Sequence, residues 1–208
     1  MYRLVLSLIT VLTLSFHTSA ATSADESELQ GYGAFSHLNK DWMLMALYTD
    51  TTEDAASTPQ RLEIKVATKR FSQRRFRALW LEALAIEHGA DKMAAMQAEL
   101  TQFFNIIQEP LKAGDTLIIE RTELGDDVRS EVKINYHTLA NLSADFLPMV
   151  VQSLVGKHPP TQALKTGLTG EDSLRDQTNL GIRFDRLEPT LPRIAEISRW
   201  EKRMLANN

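Results

Sequence analysis

The most informative absence in this 208-residue sequence is cysteine, of which there is none. Without cysteine the chain has no disulfide, no thiol nucleophile and no cysteine for lipid attachment behind a leader. Its stability must therefore come from buried apolar surface. A chain of this length with 43% hydrophobic residues can bury one proper core. We expect a single domain with short terminal extensions.

Signatures of the common catalytic chemistries are also missing. The sequence contains no nucleophile elbow, no phosphate-binding loop and no HExxH motif. The five histidines are not spaced as metal ligands, and Gly31-x-Gly33 lacks the third glycine of a dinucleotide fingerprint. We therefore predict no catalytic residue, no metal and no cofactor from motifs.

Neither sign of charge dominates the chain. The formal net charge of -4 argues against a general nucleic-acid binder. Lys69, Arg70, Arg74, Arg75 and Arg77 nevertheless crowd the start of a predicted helix, where the helix dipole disfavours positive charge. Two interpretations stay open: a solvated cationic turn balanced by nearby carboxylates, or a site that binds a carboxylate or phosphate.

No apolar run is long enough to span a bilayer comfortably. The candidate at residues 4–16 has about 13 residues, follows Arg3 and precedes small residues, a layout typical of a secretory signal. We predict a signal peptide over residues 1–20, with cleavage after Ala20 or Ala24, and a soluble periplasmic protein with no stable membrane span after cleavage. The alternative is an uncleaved amphiphilic anchor.

The clearest pattern that is present runs from residue 93 to residue 136. Apolar side chains first recur at helical spacing, and Pro110 ends that helix. Beyond Gly114, apolar and polar residues alternate on both sides of a turn at residues 125–127. The pattern is typical of a helix followed by an antiparallel hairpin that has one face in solvent. The other face of such a hairpin must be buried, which favours a sheet covered by helices. The expected fold class is α+β, an antiparallel β-sheet backed by a layer of α-helices, plus a C-terminal helix.

Other segments complete this layout. Strands are predicted at residues 31–35, 42–48 and 62–66, and the second is apolar enough to be covered on both faces. Further helices are predicted with Ser72 and Ser143 as their N-caps.

The domain boundaries follow from composition. We predict a flexible lead-in at residues 21–28, one domain at residues 29–170, and a polar linker plus C-terminal helix at residues 171–208. The last helix either docks on the domain or reaches a protein partner through residues 191–205. Four apolar side chains share one face of it: Ile194, Ile197, Trp200 and Met204.

Taken together, the segments resemble the chalcone isomerase-like family, in particular its exported bacterial branch. The resemblance covers residues 29–170 and rests on the order and spacing of several short segments. These are Gly31-x-Gly33, Ala46-Leu47-Tyr48, Lys112-Ala113-Gly114-Asp115, Ser143-Ala144-Asp145-Phe146, Leu154-Val155-Gly156 with Pro159, and Leu168-Thr169-Gly170. It implies an open-faced sandwich with a ligand cleft between sheet and helices. The family includes plant enzymes that close chalcones to flavanones and relatives that bind fatty acids without catalysis.

The sequence departs from the enzymes of this family at their reacting positions. In those enzymes an arginine two places after the second glycine guides the phenolate, and a threonine five places before the strand's final tyrosine polarises the ketone. Phe35 and Met43 stand there in this sequence, and neither donates a hydrogen bond or carries charge. The family's tryptophan is replaced by Leu154 or Val155. The resemblance therefore implies a pocket without the chemistry of chalcone isomerase.

The favoured hypothesis is a non-catalytic periplasmic binder of a small hydrophobic, anionic ligand such as a fatty acid. Apolar walls and a cation for the acid group are assigned to Tyr32, Phe35, Trp42, Tyr48, Arg74, Arg77, Phe103 and Phe104. One alternative is an isomerase or intramolecular lyase that acts on another substrate through Tyr32, Tyr48, Arg121 or Tyr136. Another is an interaction protein that uses the last helix.

Overall fold

The computed structural model describes residues 27–50 and 58–206, and the predicted signal peptide with both cleavage positions lies outside them. In the described part a six-stranded antiparallel sheet keeps its strands in chain order. The strands are β1 (Ser27–His37), β2 (Lys40–Asp50), β3 (Pro59–Val66), β4 (Thr116–Leu124), β5 (Asp127–Ile134) and β6 (His137–Ser143). The helices are α1 (Gln73–Ala95), α2 (Gln97–Asn105), α3 (Phe146–Val155), α4 (Gln162–Leu168), α5 (Leu174–Asp185) and α6 (Leu191–Ala206). The α+β class is confirmed.

The main core lies between one face of the sheet and the helices α1–α4 and α6. Alternate residues of β2 and β3, such as Met45 and Ile64, enter this core because side chains on a strand alternate between the two faces. The other face of β2 presents Leu44 and Ala46, which pack against Phe184 of α5. β2 is therefore buried on both faces, as its unbroken apolar run predicts.

Helix α1 begins where the sequence predicts. Ser72 accepts a hydrogen bond from the backbone nitrogen of Arg75 at 3.3 Å, which satisfies one free N–H of the first turn. Gly89 interrupts the helical backbone with φ 74° and ψ 177°, a conformation that suits glycine. Helix α2 ends at Asn105, earlier than the predicted end near Glu109. Among the described residues, no helix combines the length and the apolar character needed to cross a membrane.

The prediction of a polar linker after residue 170 is wrong, because residues 174–185 form helix α5. Ser173 caps α5 by accepting from the backbone nitrogen of Asp176. The side chain of Gln177 then accepts from the backbone nitrogen of Tyr32 at 2.7 Å and donates to its carbonyl at 3.1 Å. These bonds occupy backbone groups of the edge strand β1 that would otherwise face solvent. Tertiary contacts thus stabilise α5, whose apolar stripe is too narrow for the sequence pattern to predict a helix.

Strand β6 was also not predicted. Asn135 and Tyr136 form the turn before it, with φ values of 46° and 74°. Turns with positive φ usually carry glycine, so this pair gives no hairpin signal. The predicted N-cap role of Ser143 is wrong as well: its hydroxyl donates to Glu99 at 2.8 Å, and α3 begins later, at Phe146.

Helix α6 packs on the domain through the face predicted for it. Ile197 and Trp200 are fully buried in the main core. At the start of the helix, Arg193 forms a buried ion pair with Asp115, whose carboxylate also accepts from Asn135. The apolar face of α6 is therefore occupied by its own domain. A protein partner on the remaining surface of this helix stays a prediction.

Candidate functional site

The two positions at which the resemblance implies polar groups in the enzymes lie directly opposite each other. Phe35 of β1 pairs with Met43 of β2 in the antiparallel register. Both belong to the core on the helix-facing side of the sheet, and Met43 is 1% exposed. An anionic transition state at this point would meet a phenyl ring and a thioether, which supply neither charge nor a strong hydrogen bond.

Trp42 lies next to this pair because of a β-bulge. Phe35 pairs with Met43 and Ser36 pairs with Asp41, so Trp42 is the extra residue between the two pairs. Its half-buried ring leaves the regular alternation and lies 6.0 Å from the ring of Phe35 and 5.8 Å from that of Phe71. The end of the β1–β2 hairpin thus carries an aromatic cluster at the border between core and solvent.

A guanidinium group covers this cluster. The Cζ atom of Arg75, in the first turn of α1, lies 5.3 Å from the centroid of Trp42. Arg75 is exposed, and within the described residues it forms no ion pair with a carboxylate. A guanidinium that lies on an aromatic face keeps N–H groups at its edge free for an anion. Arg75 and Trp42 together therefore offer an apolar surface and a cation at one point.

A groove of about 380 Å³ opens beside Trp42 at the same end of the sheet. Its charged lining residues are Lys40, Asp41 and Arg183. Asp41 forms an ion pair with Arg183 and accepts from Ser36, so its charge is already compensated. Lys40 is exposed and has no carboxylate partner among the described residues. The groove is therefore open, partly apolar and net cationic.

A second cleft, of about 410 Å³, lies between β1 and α5 and includes Tyr32. Tyr32 and Tyr48 are on this side of the sheet, packed against the small cluster that contains Phe184. Burial, with the neighbouring acids Glu63 and Asp185, raises the pKa of both phenols. At neutral pH they are uncharged donors and acceptors, which argues against a role as general base.

Phe103 and Phe104 lie in the main core. The ring of Phe103 is 5.3 Å from Phe76 and 5.1 Å from Phe146, and these side chains fill the space between helices and sheet. Arg77 is exposed and lies 5.4 Å above the ring of Phe104, while Arg74 is exposed nearby on α1. Both of the best-defined concavities in the described residues open on the surface, and neither lies between the two layers.

The eight predicted ligand residues are thus distributed over three places. Tyr32 and Tyr48 are on the α5 side, Phe35 and Trp42 are at the hairpin end, and the remaining four belong to α1 and α2. Their role in binding stays a prediction. Two cations at the hairpin end, Arg75 and Lys40, are not among the predicted ligand residues. The only signal for Arg75 was its membership of the cationic cluster, since its contact with Trp42 joins positions far apart in the chain.

The groups proposed for the alternative isomerase do not converge. Tyr32 and Tyr48 are on the α5 side of the sheet, Arg121 forms an ion pair with Glu123 on β4, and Tyr136 is exposed in a turn. None of them reaches Phe35 and Met43. In residues 27–50 and 58–206 there is also no group of three or more histidine, aspartate or glutamate side chains arranged to hold a metal ion.

Comparisons with known proteins agree with this architecture. A family model described as chalcone isomerase-like matches residues 10–170. A search of curated proteins found no match. Among solved structures, the crystal structure of a fatty-acid binding protein from Arabidopsis thaliana is similar, with a TM-score of 0.52 and 14% sequence identity. The match covers 78% of this chain and 93% of that chain, and at this identity it shows the fold alone. The chain belongs to the chalcone isomerase-like family.

Proposed function

We propose that this protein is a non-catalytic binder of a small hydrophobic anion, such as a fatty acid, and that it acts after export to the periplasm. The observation that carries the proposal is the site around Trp42. There, apolar side chains replace the reacting groups of the family's enzymes, and Arg75 lies over the exposed edge of the aromatic cluster. An apolar surface beside a free guanidinium matches a molecule with a hydrocarbon part and a carboxylate.

The geometry assigns different parts of such a ligand to different residues. The carboxylate would bind the N–H edge of Arg75, with Lys40 at the adjacent groove as a second cation. The hydrocarbon would lie along Trp42 and Phe35, which already form the apolar border of the main core. Because buried side chains such as Phe76 and Phe103 pack between the helices and the sheet, deeper entry of the hydrocarbon requires α1 to move away from the sheet.

Catalysis is disfavoured by the same site. A ring closure needs a group that stabilises developing negative charge, and Phe35 and Met43 have none. The phenols of Tyr32 and Tyr48 lie on the opposite side of the sheet and stay protonated. The name of the structural neighbour, a fatty-acid binding protein, and the family membership both support binding over turnover. The leader-like pattern of residues 1–20 is the support for export.

The test is a titration of the purified protein with oleate, followed by tryptophan fluorescence. Trp80 and Trp200 are fully buried, so Trp42 is the tryptophan that a ligand at this site reaches. We expect saturable quenching or a blue shift, and a rise in melting temperature. Mass spectrometry of the natively purified protein should show a copurifying acyl carboxylate.

The matched variants are Arg75→Gln and Arg74→Gln. Both remove one exposed cation from the first turn of α1, but only Arg75 lies over Trp42. Loss of a charge-assisted contact of about 1.5–3 kcal/mol predicts roughly ten- to hundredfold weaker oleate binding for Arg75→Gln. Arg74→Gln should bind nearly as the unmodified protein does. No fluorescence change and no thermal shift with any long-chain acid would refute the proposal.

A further inference from the structure

One end of the sheet collects cations that have no acidic partner among the residues the structure describes. The β1–β2 turn and the segment after β3 meet there, because the backbone nitrogen of Ala67 donates to the carbonyl of Trp42 at 2.9 Å. The first turn of α1 joins them through the contact of Arg75 with Trp42. We call this region the basic end, and its exposed cations are Lys40, Lys69, Arg70, Arg74 and Arg75.

The charge of the basic end is not compensated locally. Among the described residues, none of these five side chains forms an ion pair, and the first turn of α1 contains no acidic residue. Asp41, the acid on the adjoining strand, is already paired with Arg183. The positive end of the α1 dipole adds to the same potential. A protein with a net charge of -4 therefore presents a concentrated positive surface at one end.

An apolar side chain projects from the same end. Leu38 and Asn39 form the tip of the β1–β2 hairpin with φ values of 50° and 58°. Leucine is a poor residue for this left-handed conformation, in which asparagine and glycine are usual. Leu38 is nevertheless 82% exposed, so no burial of its side chain offsets the backbone strain. Stability does not explain a strained, exposed leucine at the end of the sheet that also carries the five cations.

We propose that the basic end docks on a lipid surface that carries anionic headgroups. The cations match the negative headgroups, and Leu38 enters the boundary between headgroups and acyl chains. The proposal does not rest on the fatty-acid function, but docking there would bring the Trp42 groove to the surface of the bilayer.

The experiment measures cosedimentation of the full chain with phosphatidylcholine vesicles, with and without phosphatidylglycerol. We expect binding only when phosphatidylglycerol is present, and loss of binding as salt is raised. The double change Lys69→Gln and Arg70→Gln should weaken binding about 25-fold, at roughly fivefold per cation. This variant keeps Arg75, so its affinity for oleate should be unchanged, which separates failure of docking from failure of ligand binding.

Two controls match these changes elsewhere on the molecule. The double change Lys92→Gln and Lys157→Gln removes two exposed cations away from the basic end. Leu38→Asn removes the apolar tip and relieves the backbone strain, whereas Leu124→Asn changes a leucine that is 85% exposed at the opposite end of the sheet. We expect Leu38→Asn to weaken vesicle binding without lowering the melting temperature, and both controls to bind normally.

Three outcomes would overturn the proposal. The first is equal binding, or none, to the two kinds of vesicle. The second is an equal loss of binding in the control double variant. The third is tight, salt-sensitive binding of a DNA duplex by a protein that ignores the vesicles, which would assign the basic end to another anion.

Discussion

Asp115 and Arg193 are two charged side chains that the fold buries together, with 1% and 5% of each side chain exposed. Asp115 accepts hydrogen bonds from Nε and Nη2 of Arg193, from the backbone nitrogen of Lys112 and from Nδ2 of Asn135. Burial alone would lower the pKa of Arg193, but its hydrogen bonds with Asp115 and Glu196 raise it. Arg193 therefore keeps its positive charge inside the protein.

Replacement of Arg193 by alanine should lower the free energy of unfolding by about 3–5 kcal/mol, because the carboxylate of Asp115 would stay buried without its cation. Chemical denaturation measures this loss. The control is Lys112→Ala, which removes the exposed partner of the Lys112–Glu196 ion pair and should cost at most about 1 kcal/mol. If the two variants were equally stable, the buried pair would not be what attaches α6.

At the scale of elements, α5 decides whether residues 171–188 belong to the domain. Its buried residue Phe184 lies 5.4 Å from the ring of Tyr32 and packs against Leu44 and Ala46 of β2. The ammonium group of Lys65 lies 4.4 Å from the centroid of the Phe184 ring. These contacts cover the second face of β2, which would otherwise expose apolar side chains to water.

Truncation of Phe184 to alanine should destabilise the protein by about 3–5 kcal/mol, since it leaves a cavity in the small cluster on this face. Ile182→Ala is the control, because Ile182 lies on the same helix but is 46% exposed. We expect this variant to lose less than about 1 kcal/mol. Equal midpoints for both variants in urea would mean that α5 behaves as the linker that composition suggests.

For the molecule as a whole, three carboxylates join separate elements of the fold and should make its stability depend on pH in the acidic range. Hydrogen bonds from Lys112 and Arg193 lower the pKa of Glu196 from 4.5 to about 2. Burial opposes ionisation of Glu87, yet the backbone nitrogens of Lys157 and His158 hold its pKa below the usual range. The pKa of Glu131 is likewise lowered, since Lys133 and Thr138 outweigh its burial. The contacts of Glu196 join α6 to the segment before β4, those of Glu87 join α1 to the α3–α4 loop, and those of Glu131 join β5 to β6.

A lowered pKa stabilises the folded state above the unfolded value and loses that contribution as pH falls. The melting temperature should therefore drop as pH is lowered from 4.5 towards about 2, the interval set by Glu196. Glu196→Gln should be less stable at neutral pH and should show a shallower drop over this interval. A variant whose pH profile runs parallel to that of the unmodified protein would contradict this coupling. Thermal scans by circular dichroism across the interval make the comparison.

The sequence by itself determined the strongly periodic elements. The alternation in β3 and in the β4–β5 hairpin, the apolar run of β2 and the Ser72 cap of α1 each predict local structure without help from distant residues. It also determined that apolar residues, Phe35 and Met43, stand where the resemblance implies polar groups, and that cations crowd the start of α1.

Only the tertiary structure decided how these parts combine. It placed Tyr32 and Tyr48 on one side of the sheet and Phe35 on the other, because a strand alternates its side chains and its register fixes the face. The bulge at Trp42 broke that alternation and brought its ring to Arg75. Helix α5 packs against β1 and β2, which are distant in the chain, and local propensity carries no information about distant partners. Strand β6 pairs with the preceding strand β5, but the positive-φ turn at Asn135 and Tyr136 lacks the glycine that would signal a hairpin.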